Sequence, residues 1–180
     1  MPRKTINRED ILEKMGAHVL EHGLNTASLR PLAQAAGTSD RMLIYHFESK
    51  DALITELLQF LAGRMALQLE AALPPEPSAS LNACATEIVA LLRGPAFKPY
   101  MRVWLDIVSS ATQGSTTHHA IGSAIVEGFF DWLQARLPVG TDDPETTARA
   151  MLVVIDGTLV LDAVGQSDAA NRAIAHLFPI

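Results

Sequence analysis

Apolar residues recur along this chain at spacings of three and four and almost nowhere at two, so the pattern predicts helices throughout. From Arg8 to Glu21, Ile11, Met15 and Val19 fall every fourth residue with Leu12 and Leu20 beside them. His22-Gly23 ends that helix, and Gly23 suits a left-handed C-terminal cap. Ser28 sits at the cap of a second helix that tolerates Pro31 in its first turn. Leu29, Leu32, Ala33 and Ala36 form its inner face. Gly37 supplies a tight turn, and Ser39 caps a third short helix whose Leu43 and Phe47 face inward. Ser49 caps a long fourth helix, from Lys50 to Leu73.

Pro74-Pro75-Glu76-Pro77-Ser78 stops the fourth helix and forms a stiff connector. Further helices are expected over 80–93, 96–112, 116–137, 144–164 and 167–177, with breaks at Gly94-Pro95, Gln113-Gly114, Pro138-Val139-Gly140 and Gly165. The stretch from Pro144 to Gly165 is apolar nearly all round, so it needs cover from its own domain or from a second subunit. No internal repeat is visible. The expected organisation is all-α: a head over 1–50 and a helical body over 51–180, with 51–73 as the connecting helix.

Charge changes the picture in one respect. The chain of 180 residues carries 14 Lys and Arg against 20 Asp and Glu, a net −6 that argues at first against nucleic acid. The excess is unevenly placed. Residues 1–50 hold seven basic and six acidic side chains (+1), and 51–180 hold seven and fourteen (−7). An acidic body leaves only a defined local face to approach DNA. A single cysteine, Cys84, excludes an intramolecular disulfide and reads as a small apolar residue. The N-terminus lacks the apolar core of a signal peptide, and no apolar run reaches membrane-span length. A cytoplasmic protein with no membrane partner is expected.

The chemistry lies in residues 23–53. A short helix, a Gly turn and a second short helix present a helix to the DNA major groove. Asp40, Arg41 and Met42 occupy the first turn of that second helix, which enters the groove. Arg41 is the candidate base reader, through a bidentate contact to guanine O6 and N7. Met42 can pack on a thymine methyl. Asp40 either accepts from cytosine N4 or orients Arg41. Candidate phosphate contacts are Ser28, Arg30, Thr38, Ser39, Tyr45, His46 and Lys50, with the N–H groups at helix starts. Arg3, Lys4 and Arg8 are candidates for a basic arm; for Arg3 and Lys4 a tail with no such role is the commoner case.

These residues resemble the DNA-binding head of the TetR family of bacterial transcription regulators. Gly23, Ser28, Ala33, Ala36, Gly37, Ser39, Leu43, His46, Phe47, Ser49, Lys50 and Leu53 fall in the family's register, and the resemblance covers about residues 8–55. Two positions depart. The family's Tyr after Leu43 is Ile44 here, which removes a phosphate contact that Tyr45 replaces only if the helix is slightly rotated. Arg41 stands where the family often has a small residue, so base preference cannot be borrowed from relatives. The resemblance implies an Ω-shaped homodimer of about nine helices per subunit, paired through the last two helices. It also implies a pseudo-palindromic double-stranded operator and repression relieved by a small apolar or amphipathic ligand. Phe97, Met101, Trp104, Phe129 and Phe130 are the candidate ligand-lining residues under that resemblance.

Other chemistries fare less well. His118 and His119 are adjacent, point about 100° apart on a helix and do not converge on one metal ion. Asp106, Asp156 and Asp162 interrupt apolar helices and can orient a ligand or serve acid–base chemistry; paired, capping or interface carboxylates are the commoner case. No nucleophile triad context, phosphate-binding Gly loop or metal-ligand set is present, so no enzyme, metal or cofactor is expected. The competing function is a helical interaction module of the same fold that has lost DNA binding, for which Ile44 is the single supporting feature.

Overall fold

The computed structural model describes residues 7–179, so Arg3 and Lys4 lie outside the described residues. Among these residues there are nine α-helices, one 3₁₀ turn and no strand. The helices are α1 (Arg8–His22), α2 (Leu29–Ala36), α3 (Asp40–Phe47), α4 (Lys50–Ala72), α5 (Leu81–Arg93), α6 (Lys98–Thr112), α7 (Thr116–Gln134), α8 (Pro144–Ala163) and α9 (Ser167–Leu177). The 3₁₀ turn, Leu24–Thr26, lies between α1 and α2.

Local chemistry sets most helix ends. Asn7 starts α1, its side-chain oxygen accepting from the Glu9 N–H. Ser39 Oγ accepts from the Met42 N–H at 3.3 Å, and Ser49 Oγ from the Ala52 N–H at 3.1 Å. Asp143 caps α8 through the Thr146 N–H at 3.2 Å, with Pro144 in the first turn, where its missing N–H costs nothing. Two differences from the sequence-based expectation have plain causes. Helix α6 starts at Lys98 rather than 96, because residues 94–97 form a turn in which the Phe97 N–H donates to the Gly94 carbonyl. Helix α7 ends at Gln134 rather than 137, because the following N–H groups of Arg136 and Leu137 bond three residues back and tighten the chain.

By packing, the chain forms two compact units. The first comprises the described residues up to Met65 with Pro99–Ile125. Its core draws Ile11, Met15 and Val19 from α1, Leu32 and Ala36 from α2, Leu43 and Phe47 from α3, and Leu53 and Leu57 from α4, each at most 1% exposed. Val103 and Ile107 of α6 and Ile121 of α7 belong to the same cluster. Burying each large side chain contributes about 1.5–3 kcal/mol, which outweighs the weak propensity of eight-residue helices to form alone. Gly16 lies inside α1 because α4 passes close: a Cβ there would meet Leu61 Cδ2 at 3.0 Å.

The second unit comprises Ala66–Lys98 with the described residues from Val126 onward. Its core joins Cys84, Ile88 and Val89 of α5 to Leu133 of α7, Met151 and Ile155 of α8 and Ile174 of α9. Burial pushes the Cys84 thiol up, in keeping with a packing role. A polar lattice ties its helices. Arg93 of α5 makes a two-pronged ion pair with Asp162 of α8 (2.7 and 2.8 Å) and donates to Asn171 of α9. The guanidinium holds the Asp162 carboxyl below its ordinary value. Arg136, buried, stacks on the Trp132 ring and donates to Glu70 and to the Pro74 carbonyl. Hydrogen bonds from Arg136 and Trp132 likewise lower the Glu70 carboxyl.

Candidate nucleic-acid interface

The α2–α3 pair is built around one reversal. Gly37 has φ 70° and ψ 33°, the left-handed conformation that costs glycine little and other residues more. The Thr38 N–H donates to the Ala33 carbonyl at 2.9 Å and the Gly37 N–H to the Gln34 carbonyl at 3.1 Å. Nested 6→1 and 5→2 bonds of this kind satisfy the carbonyls at the end of α2 and turn the chain sharply into α3. Ser39 then restarts the helix.

Helix α3 divides cleanly into two faces. Leu43 and Phe47 are 0% and 1% exposed and fix the helix to the core. On the other face Asp40 and Arg41 are exposed, Met42 is 40% exposed and Tyr45 is 77% exposed. An apolar residue and an aromatic one, displayed beside a guanidinium on one short helix, form a surface suited to base edges and methyl groups. Ile44 is half-buried beside Leu43, whereas Tyr45 projects outward. The His46 ring is half-buried and packs edge-on against Tyr45, centroids 5.5 Å apart.

The flanking phosphate candidates are exposed apart from Thr38 and His46, which are half-buried. Ser28 occupies the N-cap position of α2 with extended backbone, but its hydroxyl makes no capping hydrogen bond. The expected cap is thus made by backbone position alone, and the first N–H groups of α2 lack that partner. Arg30 is exposed in the first turn of α2, and Lys50 opens α4. Three positive side chains, Arg30, Arg41 and Lys50, therefore lie along α2, α3 and the start of α4.

Arg8 differs from its expectation. It is no free arm. Its guanidinium lies 4.7 Å from the centre of the Phe47 ring and forms a two-pronged ion pair with Glu56 of α4. The hydrogen bond to Glu56 raises the Arg8 pKa, and the ring contact ties the start of α1 to the end of α3. Beside it, Glu48 links α3 to α4 with φ 68° and ψ −43°, and the Ser49 N–H donates to the Phe47 carbonyl at 2.8 Å. This is a γ-turn with positive φ at a non-glycine residue, a strained junction that no sequence pattern announced.

The remaining candidates are distributed as follows. Met101 and Trp104, half-buried, pack on the first unit's core. Phe97, Phe129 and Phe130 belong to the second unit: Phe97 is buried, Phe129 stacks on Trp132, and Arg149 lies 4.3 Å from the centre of the Phe130 ring. A cavity of about 120 Å³ in the second unit is lined by residues including Pro74, Ser78, Glu87 and Arg136, and by none of the five candidates. Asp106 accepts hydrogen bonds from the head, and Asp162 is the partner of Arg93, so both are structural carboxylates. Among the described residues no group of three or more His, Cys, Asp or Glu can hold a metal ion. No helix among them is long and apolar enough to cross a membrane.

An all-helical chain with a glycine-turned α2–α3 pair, one face packed and the other displaying Arg41, Met42 and Tyr45, is of the helix-turn-helix class. Residues 19–57 match the model of the bacterial regulatory proteins of the tetR family. Over nearly its whole length the chain also folds as solved transcriptional regulators do. A transcriptional regulator from Rhodococcus sp. Rha1 is 24% identical, with TM-score 0.70 over 96% of this chain and 97% of that one. The multidrug binding protein EbrR, complexed with imidazole, is 24% identical, with TM-score 0.70 over 100% of this chain and 95% of that one. A TetR transcription regulator from Haloarcula marismortui is 18% identical, with TM-score 0.63 over 93% and 94% of the two chains.

Proposed function

We propose that the protein is a sequence-specific DNA-binding transcriptional repressor, released from its operator by a small apolar or amphipathic ligand. The observation that carries this is the outward face of α3. Arg41, Met42 and Tyr45 are exposed on a helix pinned from behind by Leu43 and Phe47. Arg41 reads guanine, Met42 contacts a thymine methyl, and Asp40 orients Arg41 or accepts from cytosine. Ser28, Arg30, Thr38, Ser39, Tyr45, His46 and Lys50 hold the phosphates. In this division of labour residues 1–50 bind DNA and residues 51–180 carry ligand binding and dimerisation.

The exposed face of α8 supports the proposed homodimer. One side of the helix packs Met151, Leu152, Ile155 and Leu159 inward. The opposite side displays Val153 (71% exposed), Gly157 and Val160 (53%) at helical spacing, with Val164 (67%) at the C-cap. A Cβ at Gly157 would meet nothing within 4 Å, so the stripe is open to a second copy. A two-fold dimer presents two α3 helices to major grooves roughly 34–36 Å apart on a pseudo-palindrome. Support for a small ligand comes from EbrR, whose solved forms contain imidazole and proflavin. Phe97, Met101, Trp104, Phe129 and Phe130 are the proposed lining.

The test is a binding titration against DNA upstream of the protein's own gene, with and without small molecules extracted from the purified protein. Salt-dependent binding that the extract weakens supports ligand-released repression. Absence of binding at low salt favours the interaction module, for which the loss of the family Tyr at Ile44 is the supporting feature.

A further inference from the structure

The turn that leads from α1 into α2 is gripped by a helix about eighty residues further along the chain. The Asp106 carboxylate on α6 accepts from the Leu24 N–H at 2.9 Å and from the Asn25 side-chain amide at 3.3 Å. One helical turn earlier, Arg102 donates to the Leu20 carbonyl in the last turn of α1. The two side chains act on opposite ends of one break: Arg102 meets the carbonyl end of α1, and Asp106 meets the first N–H of the 3₁₀ turn. Both placements suit the local dipoles. The approach is close enough that a Cβ on Gly23 (φ 86°) would stand 3.4 Å from Asp106 Oδ2.

The grip has a direct line to the DNA face. Leu24 is buried, and only Thr26 and Ala27 separate the middle of the 3₁₀ turn from Ser28, the N-cap of α2. Helix α2 is fixed to α3 through the Gly37 turn. On the other side, α6 carries Met101 and Trp104, half-buried on the same core as the head and members of the proposed ligand lining. We propose that Asp106, assisted by Arg102, is the positioning contact through which α6 sets the pose of the α1–α2 turn, and hence the DNA-binding competence of α2 and α3. A ligand that shifts α6 is then felt by the head through a carboxylate and not only through the length of α4. This rests on the DNA-binding function proposed above.

Asp106→Ala and Asp106→Asn are compared with wild type by amide hydrogen exchange and by titration of upstream DNA across a salt series. In Asp106→Ala the Leu24 amide should exchange at least tenfold faster, while the Leu43 amide in the core of α3 stays unchanged. DNA affinity should fall about tenfold, the order of a coupling between two sites, with the salt slope intact because no phosphate contact is lost. Asp106→Asn keeps an acceptor for the Leu24 N–H and should restore most of both. If Asp106→Ala also loses Leu43 protection, Arg102→Gln decides: a folded Arg102→Gln with wild-type DNA affinity overturns the proposal. Unchanged affinity in a folded Asp106→Ala overturns it too, with the regulator function standing. Wild-type protein that binds no DNA at low salt overturns that function, and this positioning role with it.

Discussion

The α3 face and the α8 face of this protein are both exposed, yet they display different chemistry. On α3, Arg41, Met42 and Tyr45 project beside Asp40, and on α8, Val153 and Val160 project with an open glycine between them and Val164 following at the C-cap. A mixed charged and aromatic face is suited to a polar, heavily charged groove, and an apolar stripe is suited to another apolar stripe. The short helix is therefore the proposed DNA face and the long helix the proposed face for a second subunit. The comparison can be broken at several points.

The largest effect should come from the support behind α3. Phe47→Ala removes a ring that is 1% exposed and that also carries the Arg8 guanidinium, and should cost ~3–5 kcal/mol in urea unfolding. If the midpoint barely moves, α3 is not held by its inner face. Next, Arg93→Ala strips Asp162 of a two-pronged partner and should cost about 1.5–3 kcal/mol by the same measurement. The same pair predicts an acid response. The Asp162 carboxyl is held below its ordinary value, so its stabilisation is present above about pH 3.9 and is lost as pH falls through the lowered folded value. Asp162→Asn should flatten that part of the acid-unfolding curve; an unchanged curve would assign the response elsewhere.

On the α8 face, Val160→Asp puts a charge where the second copy is proposed to pack. Sedimentation should then find monomer with nearly unchanged helicity. Persistence of a dimer would place the interface away from this stripe. The smallest effect is expected at the strained junction: Glu48→Gly removes the positive-φ penalty and should add about 1 kcal/mol of stability, seen as a higher thermal midpoint. A loss instead would mean that the Glu48 charge beside Arg8 matters more than the backbone.

Much of the head was legible because its signals are local. Ser39, Gly37, Ser49 and Pro144 act on backbone groups within a few residues, so caps, turns and helix ends follow from neighbours in sequence. The apolar period likewise placed Leu43 and Phe47 inward. What stayed illegible is contact at a distance. Arg8 read as part of a basic arm because Glu56 lies 48 residues away, and Asp106 read as one of three interrupting carboxylates because Leu24 lies 82 residues away. Ser28 has the right residue type for a cap without the hydrogen bond, since type sets a preference and rotamer decides it. The Glu48 γ-turn had no signal, because Glu carries no preference for positive φ. The proposed ligand lining is illegible for a related reason: Phe97, Met101, Trp104, Phe129 and Phe130 come from two helices and a turn, with no shared spacing.

The most direct measurement is the ratio of affinities for upstream operator DNA and for random DNA, at one fixed salt concentration, in wild type, Arg41→Ala and Lys50→Ala. Arg41→Ala should shrink the ratio by about 1–3 kcal/mol, the value of one bidentate base contact. Lys50→Ala should weaken both affinities alike and reduce the salt slope by about 0.9. Equal loss on operator and random DNA in Arg41→Ala would contradict base reading by the exposed face of α3.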